Sequence, residues 1–283
     1  MILLCWVSCS AQAAGVAVTD DAGRQVTLSA PARRIISLAP HATELLFAAG
    51  AGDRVVGVSE YSNYPPQARQ IAAVGGAATL DIERIIMLKP DLVVAWASGT
   101  PAAQIARLRT LGIPVFESEP RDFDAVATSL ERLATLAATP AVGNAAAAQF
   151  RGALQQLRDK YASRTQLSVF FQVWQAPLIT LNDTHLVSAA LKVCGARNVF
   201  GALPQVAPTV SIEAVLQADP DAIVSNGSEQ SDALKNWRRF PTLKAVAHHN
   251  LLVIPGDTLT RAGPRIVDAA RVLCEALEGV RQR

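Results

Sequence analysis

Six residues in this sequence combine useful chemistry with position: His41, Tyr61, Trp96, Trp174, Asp257 and Arg261. Each follows or closes an apolar run that reads as a strand, so each falls near a strand's carboxyl end. In an open α/β sheet, ligands settle outside those ends, where helix N-termini also point. Aromatic rings with a polar edge suit a large, flat, partly conjugated guest. Core filling explains any single indole as well, and a turn residue at a helix start is the stronger reading of His41. Asp257 beside Arg261 is also a cleft acid next to a cation, so an enzyme is the rival class.

Signatures of catalysis are scarce. The sequence holds no phosphate-loop, nucleophile-elbow or zincin motif. Gly50-Ala-Gly52 ends a predicted helix, whereas a dinucleotide fingerprint follows a strand and opens one. His248 and His249 are adjacent and cannot share a helical face as zinc ligands do; like His185, they read as residues of a solvated polar turn. No metal site is expected.

The elements that would carry these residues are organised by one repeat. Thr79–Ala95 and Thr209–Ser225 align without a gap, placing Ile82 on Ile212, Glu83 on Glu213, Pro90 on Pro220 and Asp91 on Asp221. Each copy reads as an N-cap (Asp81, Ser211), a short amphipathic helix, a Pro-Asp stop and a buried strand. One pair is too few for a solenoid, which needs at least about three repeats. The pattern predicts two similar α/β lobes, each presenting a glutamate on an equivalent helix. The helix macrodipole alone favours a carboxylate in a first turn. Equivalence across the repeat adds that Glu83 and Glu213 suit a two-fold symmetric partner bearing basic residues.

Taken in order, Val16–Leu28 reads as a hairpin, followed by strands over Arg33–Leu38 and Val55–Val58 with a helix Thr43–Ala49 between them. Residues 59–66 form a loop, the first copy's strand ends at Trp96, a helix spans Pro101–Leu111, and Ile113–Phe116 is a strand. From Phe123 the strand signal stops. Beyond Pro140, Ala141–Ser163 is rich in Ala, Gln, Leu and Arg and predicts one long, stiff helix joining the lobes. The second lobe then has a strand Leu167–Trp174, helices at Leu186–Val193 and near Ser231–Phe240, a strand Leu251–Pro255 and a closing helix Arg265–Arg281. The expected fold is α/β: two Rossmann-like lobes, residues 14–139 and 165–283, joined by a helix over 140–164, with a ligand cleft between them.

A chain of 283 residues is long enough for two lobes, and its net charge of +2 gives no case for nucleic acid. Residues 1–13 form a short apolar run ending in Ala11-Gln12-Ala13, read as a signal peptide without its usual basic opening; lipid anchoring through Cys9 is the rival reading. Export leaves one cysteine pair, Cys194 and Cys274. In an oxidising compartment that pair reads as a disulfide, with two free buried thiols as the other possibility.

Several stretches together carry a resemblance: Ser59-Glu-Tyr-Ser-Asn-Tyr-Pro-Pro66, Glu83-Arg-Ile, Lys89-Pro-Asp-Leu-Val-Val-Ala-Trp96, Val193-Cys-Gly195, Asn198-Val-Phe200 and Arg261-Ala-Gly-Pro-Arg-Ile266. Over Arg33 to about Glu278 the chain resembles the periplasmic substrate-binding proteins of ABC importers for cobalamin and iron complexes. The resemblance implies a monomeric, periplasmic, non-enzymatic receptor that holds a corrinoid such as cobalamin and delivers it to a dimeric inner-membrane permease. Haem or an iron siderophore on the same scaffold is the alternative, with Tyr61 or His41 approaching the iron. It further implies that Tyr61, Trp96, Asp257 and Arg261 line the pocket, that Glu83 and Glu213 pair with permease arginines, and that Cys194 bonds Cys274. Where relatives carry further pocket tryptophans this chain has Ala77, Ala207 and Thr258, and Trp174 replaces part of that surface.

Overall fold

The computed structural model describes residues 15–76, 79–227 and 233–283. The expected signal segment with Cys9, the position of Ala77 and the start of the helix expected near Ser231 lie outside the described residues.

A hairpin of β1 (Val16–Thr19) and β2 (Gln25–Leu28) opens the chain. The N-terminal lobe follows as β3 (Ile35–Ser37), α1 (Pro40–Ala48), β4 (Val55–Val58), α2 (Ile82–Met87), β5 (Leu92–Trp96), α3 (Ala102–Thr110) and β6 (Val115–Ser118). Its strands are all parallel in the order β4-β3-β5-β6. Then α4 (Phe123–Leu136) and α5 (Pro140–Tyr161) lead to the C-terminal lobe. That lobe runs β7 (Leu167–Gln172), the small hairpin β8 (Trp174–Gln175) and β9 (Leu178–Ile179), α6 (Leu186–Val193), β10 (Ala196–Asn198), α7 (Ile212–Ala218), β11 (Ala222–Gly227), α8 (Lys244–Ala247), β12 (Leu251–Pro255) and α9 (Ile266–Arg281). Its parallel order, β10-β7-β11-β12, repeats the first lobe strand for strand.

The repeat in the sequence is the reason. Asp81 accepts the Arg84 N–H and Ser211 accepts that of Ala214, so both copies cap their helix identically. After each helix the Pro-Asp pair turns the chain into the sheet. The Asp91 carboxylate accepts the N–H groups of Arg33 (2.8 Å) and Arg34 (3.0 Å), and that of Asp221 accepts the N–H and hydroxyl of Ser168 (both 2.7 Å). In each lobe this aspartate pins the beginning of the neighbouring strand and fixes the register of the central pair.

The long helix has 22 residues, about 33 Å at 1.5 Å per residue. It packs antiparallel on α4, closely enough that a Cβ at Gly143 would collide with Ala134 and the Leu130 carbonyl. Phe150, Leu154, Leu157 and Tyr161 of α5 belong to one continuous apolar core that reaches β3 and β5 on one side and β7, α6 and α9 on the other. Each lobe keeps a second, private cluster on its outer sheet face. The lobes are therefore joined by packing as well as by chain. Cys194, at the end of α6, is bonded to Cys274 of α9, with Cα atoms 4.7 Å apart, inside the C-terminal lobe.

Three local expectations change. The strand expected to finish on Trp174 ends at Gln172, and Trp174 opens the separate hairpin with β9. The helix expected near Ser231–Phe240 is, where described, a 3-10 turn over Lys235–Arg239. His41 lies inside the first turn of α1, since Pro40 takes the first helical position and starts the helix earlier than Thr43.

Candidate functional site

The carboxyl ends of both sheets open onto one cleft of about 640 Å³ between the lobes. From the N-terminal lobe it is lined by His41, Trp96, Ser98, Glu119 and Arg121, and from the C-terminal lobe by His185, Asp257, Thr260 and Arg261. Residues distant in sequence meet here because parallel strands deliver every following loop to the same edge.

Trp96 is the last residue of β5 and is 37% exposed. Its N–H donates to the Thr100 hydroxyl (3.2 Å) and its carbonyl accepts the Thr100 N–H (2.8 Å), closing a tight turn under the indole. Gly99 in that turn lies so close to the ring that any Cβ would overlap it. His41 meets the indole edge-on, centroids 5.8 Å apart, with Nε2 3.2 Å from the Ser118 hydroxyl. Burial pushes the His41 imidazole down to about 4, against the opposing pull of Glu119, so the ring is neutral at physiological pH.

Arg261 does more than line the cleft. Its Nη1 donates to Glu44 Oε1 (3.0 Å) and to Asn63 Oδ1 (3.1 Å), and its Nη2 pairs with Asp257. Arg265 grips the same carboxylate through two bonds, Nε to Oε2 at 3.0 Å and Nη2 to Oε1 at 2.5 Å, and its guanidinium stacks 3.8 Å from the Tyr64 ring centroid. Glu44 belongs to α1 of the N-terminal lobe and its side chain is 1% exposed; both arginines precede α9 in the other lobe. This buried carboxylate with two guanidinium partners is a clamp across the lobe boundary, directly behind the cleft.

The loop over residues 59–66 is secured by buried hydroxyls. Thr43 Oγ1 lies 2.8 Å from Ser37 Oγ and 3.0 Å from Ser62 Oγ, and Ser59 Oγ lies 3.2 Å from Ser62 Oγ. That anchorage holds Asn63 against Arg261. It also holds Tyr61 with φ of 63°, a left-handed conformation unfavourable for a bulky residue. Tyr61 is 81% exposed and stands outside the residues lining the cleft; Trp174, 62% exposed with its Nε1 donating to the Ala176 carbonyl, does too.

A family model described as periplasmic binding protein matches residues 35–258. The vitamin B12-binding protein of Vibrio cholerae serotype O1 is 42% identical over 250 residues, which cover 88% of this chain and 90% of that relative. The chain belongs to the periplasmic binding protein family. The crystal structure of the periplasmic vitamin B12-binding protein of Vibrio cholerae superposes with a TM-score of 0.83, covering 89% of this periplasmic binding protein and 99% of the other chain. A vitamin B12-binding protein from Photorhabdus laumondii is 39% identical over 252 residues, 89% of this chain and 90% of its own. A periplasmic haem-binding protein from Roseiflexus, 24% identical with a TM-score of 0.77 over 88% of this chain and 98% of its own, shares the fold.

Of the expected site residues, the structure of this periplasmic binding protein gathers His41, Trp96, Asp257 and Arg261 around the cleft. Glu83 and Glu213 lie exposed on α2 and α7, the equivalent helices, and the Glu213 carboxyl is held below its usual range by its own backbone N–H and the Ser211 hydroxyl. Sequence reading missed Glu44, whose position inside a helix gives no sign of partners more than two hundred residues away. It also misplaced His185. Far from a solvated turn, this ring caps α6, its Nδ1 accepting the Val187 N–H at 3.1 Å, while His248 and His249 do sit exposed. Among the described residues no cluster could hold a metal ion on its own, and no helix is long and apolar enough to cross a membrane.

Proposed function

We propose that this chain is a periplasmic receptor that captures cobalamin, or a closely related corrinoid, in the cleft between its lobes and hands it unchanged to an ABC importer. The observation that carries the reading is the charge balance of the cleft. Glu44, Asp257 and Glu119 stand against Arg261, Arg265 and Arg121 in and directly behind it, and four of these six are tied to one another. A site so neutralised, with an indole face and neutral imidazoles, suits a bulky ligand whose rim carries uncharged amides. Haem brings two carboxylates, which such a site would leave uncompensated. The vitamin B12-binding relatives, at 42% and 39% identity over nearly their whole length, support the same ligand.

In this reading Trp96 offers its face to the macrocycle, Asp257 and Arg261 offer polar contacts, and Tyr61 and Trp174 close over the mouth from an exposed loop and an exposed hairpin. The units are the lobes 14–139 and 165–283 about the 140–164 helix, acting as a monomer. Glu83 and Glu213 meet basic residues on the two halves of a symmetric permease. Calorimetric titration with cyanocobalamin, cobinamide and haemin tests the ligand: saturable, one-to-one cyanocobalamin binding that haemin does not displace is expected, and a haemin complex with a Soret band in place of it removes the corrinoid reading. Reversing the charge of Glu83 and Glu213 together is expected to abolish uptake in cells while leaving that titration unchanged.

A further inference from the structure

His185 occupies the place in the C-terminal lobe that His41 holds in the other. Each sits at the start of a helix, His41 in α1 directly after β3 and His185 at the N-cap of α6 after β7 and the β8–β9 hairpin, and each lines the cleft. Their hydrogen bonds differ. His185 Nδ1 accepts the backbone N–H of Val187 at 3.1 Å. A nitrogen that accepts from an amide carries no proton, so a neutral His185 has its proton on Nε2 and a charged one loses the cap. Burial pushes this imidazole down to about 4, so the neutral form is the one present near pH 7. Nε2, on the far side of the ring from the cap, has no hydrogen-bond partner among the described residues and is not sealed from solvent. The capping geometry thus fixes one tautomer and leaves the ring one N–H donor, on Nε2, that the cap does not use, in a residue that lines the cleft. It also bars this nitrogen from serving as a metal ligand, because that would require moving the proton onto the capping atom.

We propose that His185 is a specificity residue of the cleft, donating its Nε2–H to an uncharged acyl oxygen, an amide carbonyl on the rim of the bound corrinoid. The inference rests on the corrinoid reading above and adds the atom that reads the rim. A fixed neutral donor rewards a carbonyl oxygen and gives nothing to an amide N–H.

Two substitutions separate this role from helix capping, because both new residues are good N-caps and neither presents a donor at that reach. His185→Ser is expected to fold with an unchanged or higher thermal midpoint and to bind cyanocobalamin about 3- to 10-fold more weakly, the worth of one neutral hydrogen bond. His185→Asp should bind more weakly still, since its charge would face the carbonyl oxygen. Affinity of His185→Ser within about twofold of wild type overturns the proposal, given what such a bond is worth. So does His185→Asp binding more tightly than His185→Ser, which would mean that the ligand presents a donor there. On the wild type, 15N-histidine NMR should show His185 protonated at Nε2 in the free protein and that resonance moving on saturation with cyanocobalamin. A proton on Nδ1, or an unmoved Nε2 resonance, overturns it independently of any variant. Wild-type protein that fails to bind cyanocobalamin removes the corrinoid reading and this inference together, whereas normal wild-type binding with an indifferent His185→Ser removes the inference alone.

Discussion

The two lobes share a frame and differ at the edge that faces the ligand. On the outer side they match residue for residue: capped helices carrying Glu83 and Glu213, and aspartates Asp91 and Asp221 pinning the adjacent strand. At the cleft the match fails. Trp96 aligns with Asn226, whose side chain donates to the Thr260 hydroxyl at 3.4 Å and holds a loop instead of offering a ring face. The hydroxyl-anchored loop 59–66 of the first lobe supplies Asn63 to Arg261, and the second lobe supplies the arginines themselves. Register and capping are requirements of the fold, so they are the same twice. A single asymmetric guest needs different groups on its two sides, so the cleft edges are not.

Five substitutions press on that contrast. The largest effect is expected at the charged clamp that crosses the lobe boundary. Glu44→Ala leaves two guanidinium groups without their buried partner and should cost about 3–5 kcal/mol in denaturant unfolding; a loss under about 1 kcal/mol would mean that the clamp is no more than a surface pair. Next comes the staple that only one lobe has. Cys274→Ala should cost about 3 kcal/mol, with hydrogen exchange rising in α6 and α9 and not in α1 or α3. Then the matched aspartates: Asp91→Ala and Asp221→Ala should each cost about 2 kcal/mol, because each removes a charged acceptor from two donors. Clearly unequal values would break the equivalence of the lobes. The smallest is a gain. Tyr61→Gly relieves a left-handed tyrosine and, after the extra chain entropy of glycine, should stabilise by about 0.5–1 kcal/mol. The same variant should weaken cyanocobalamin binding if the exposed ring closes over the ligand, which titration beside the thermal melt will show.

The frame was legible in the sequence for the same reason that it is duplicated. Caps, Pro-Asp stops and apolar runs are local signals, and Leu186–Val193 was readable to the residue because a polar start and Cys-Gly bound it. Short edge pieces were not. The three residues of β10 carry no alternating pattern, and β8–β9 looked like the tail of β7 because Trp174 continues its apolar run. Within the site, strand-end position pointed to Trp96, Asp257 and Arg261, which line the cleft, and equally to Tyr61 and Trp174, which do not; His41 lines it although its place at a helix start favoured the plain turn reading. Glu44 and His185 escaped because what distinguishes them is a partner: two arginines from the other lobe in one case, a backbone N–H and a buried wall in the other.

The apolar packing that runs from β3 through α4 and α5 to β7 and α9 also governs how this molecule can be rebuilt. A hybrid that grafts the first sheet of one relative onto the second sheet of another would cut through side chains belonging to both. The transplantable unit is therefore a sheet together with the helices that back it, and a chimaera joined within 140–164 sets α4 of one parent against α9 of the other, so the core side chains on both sides of α5 must be matched to each other.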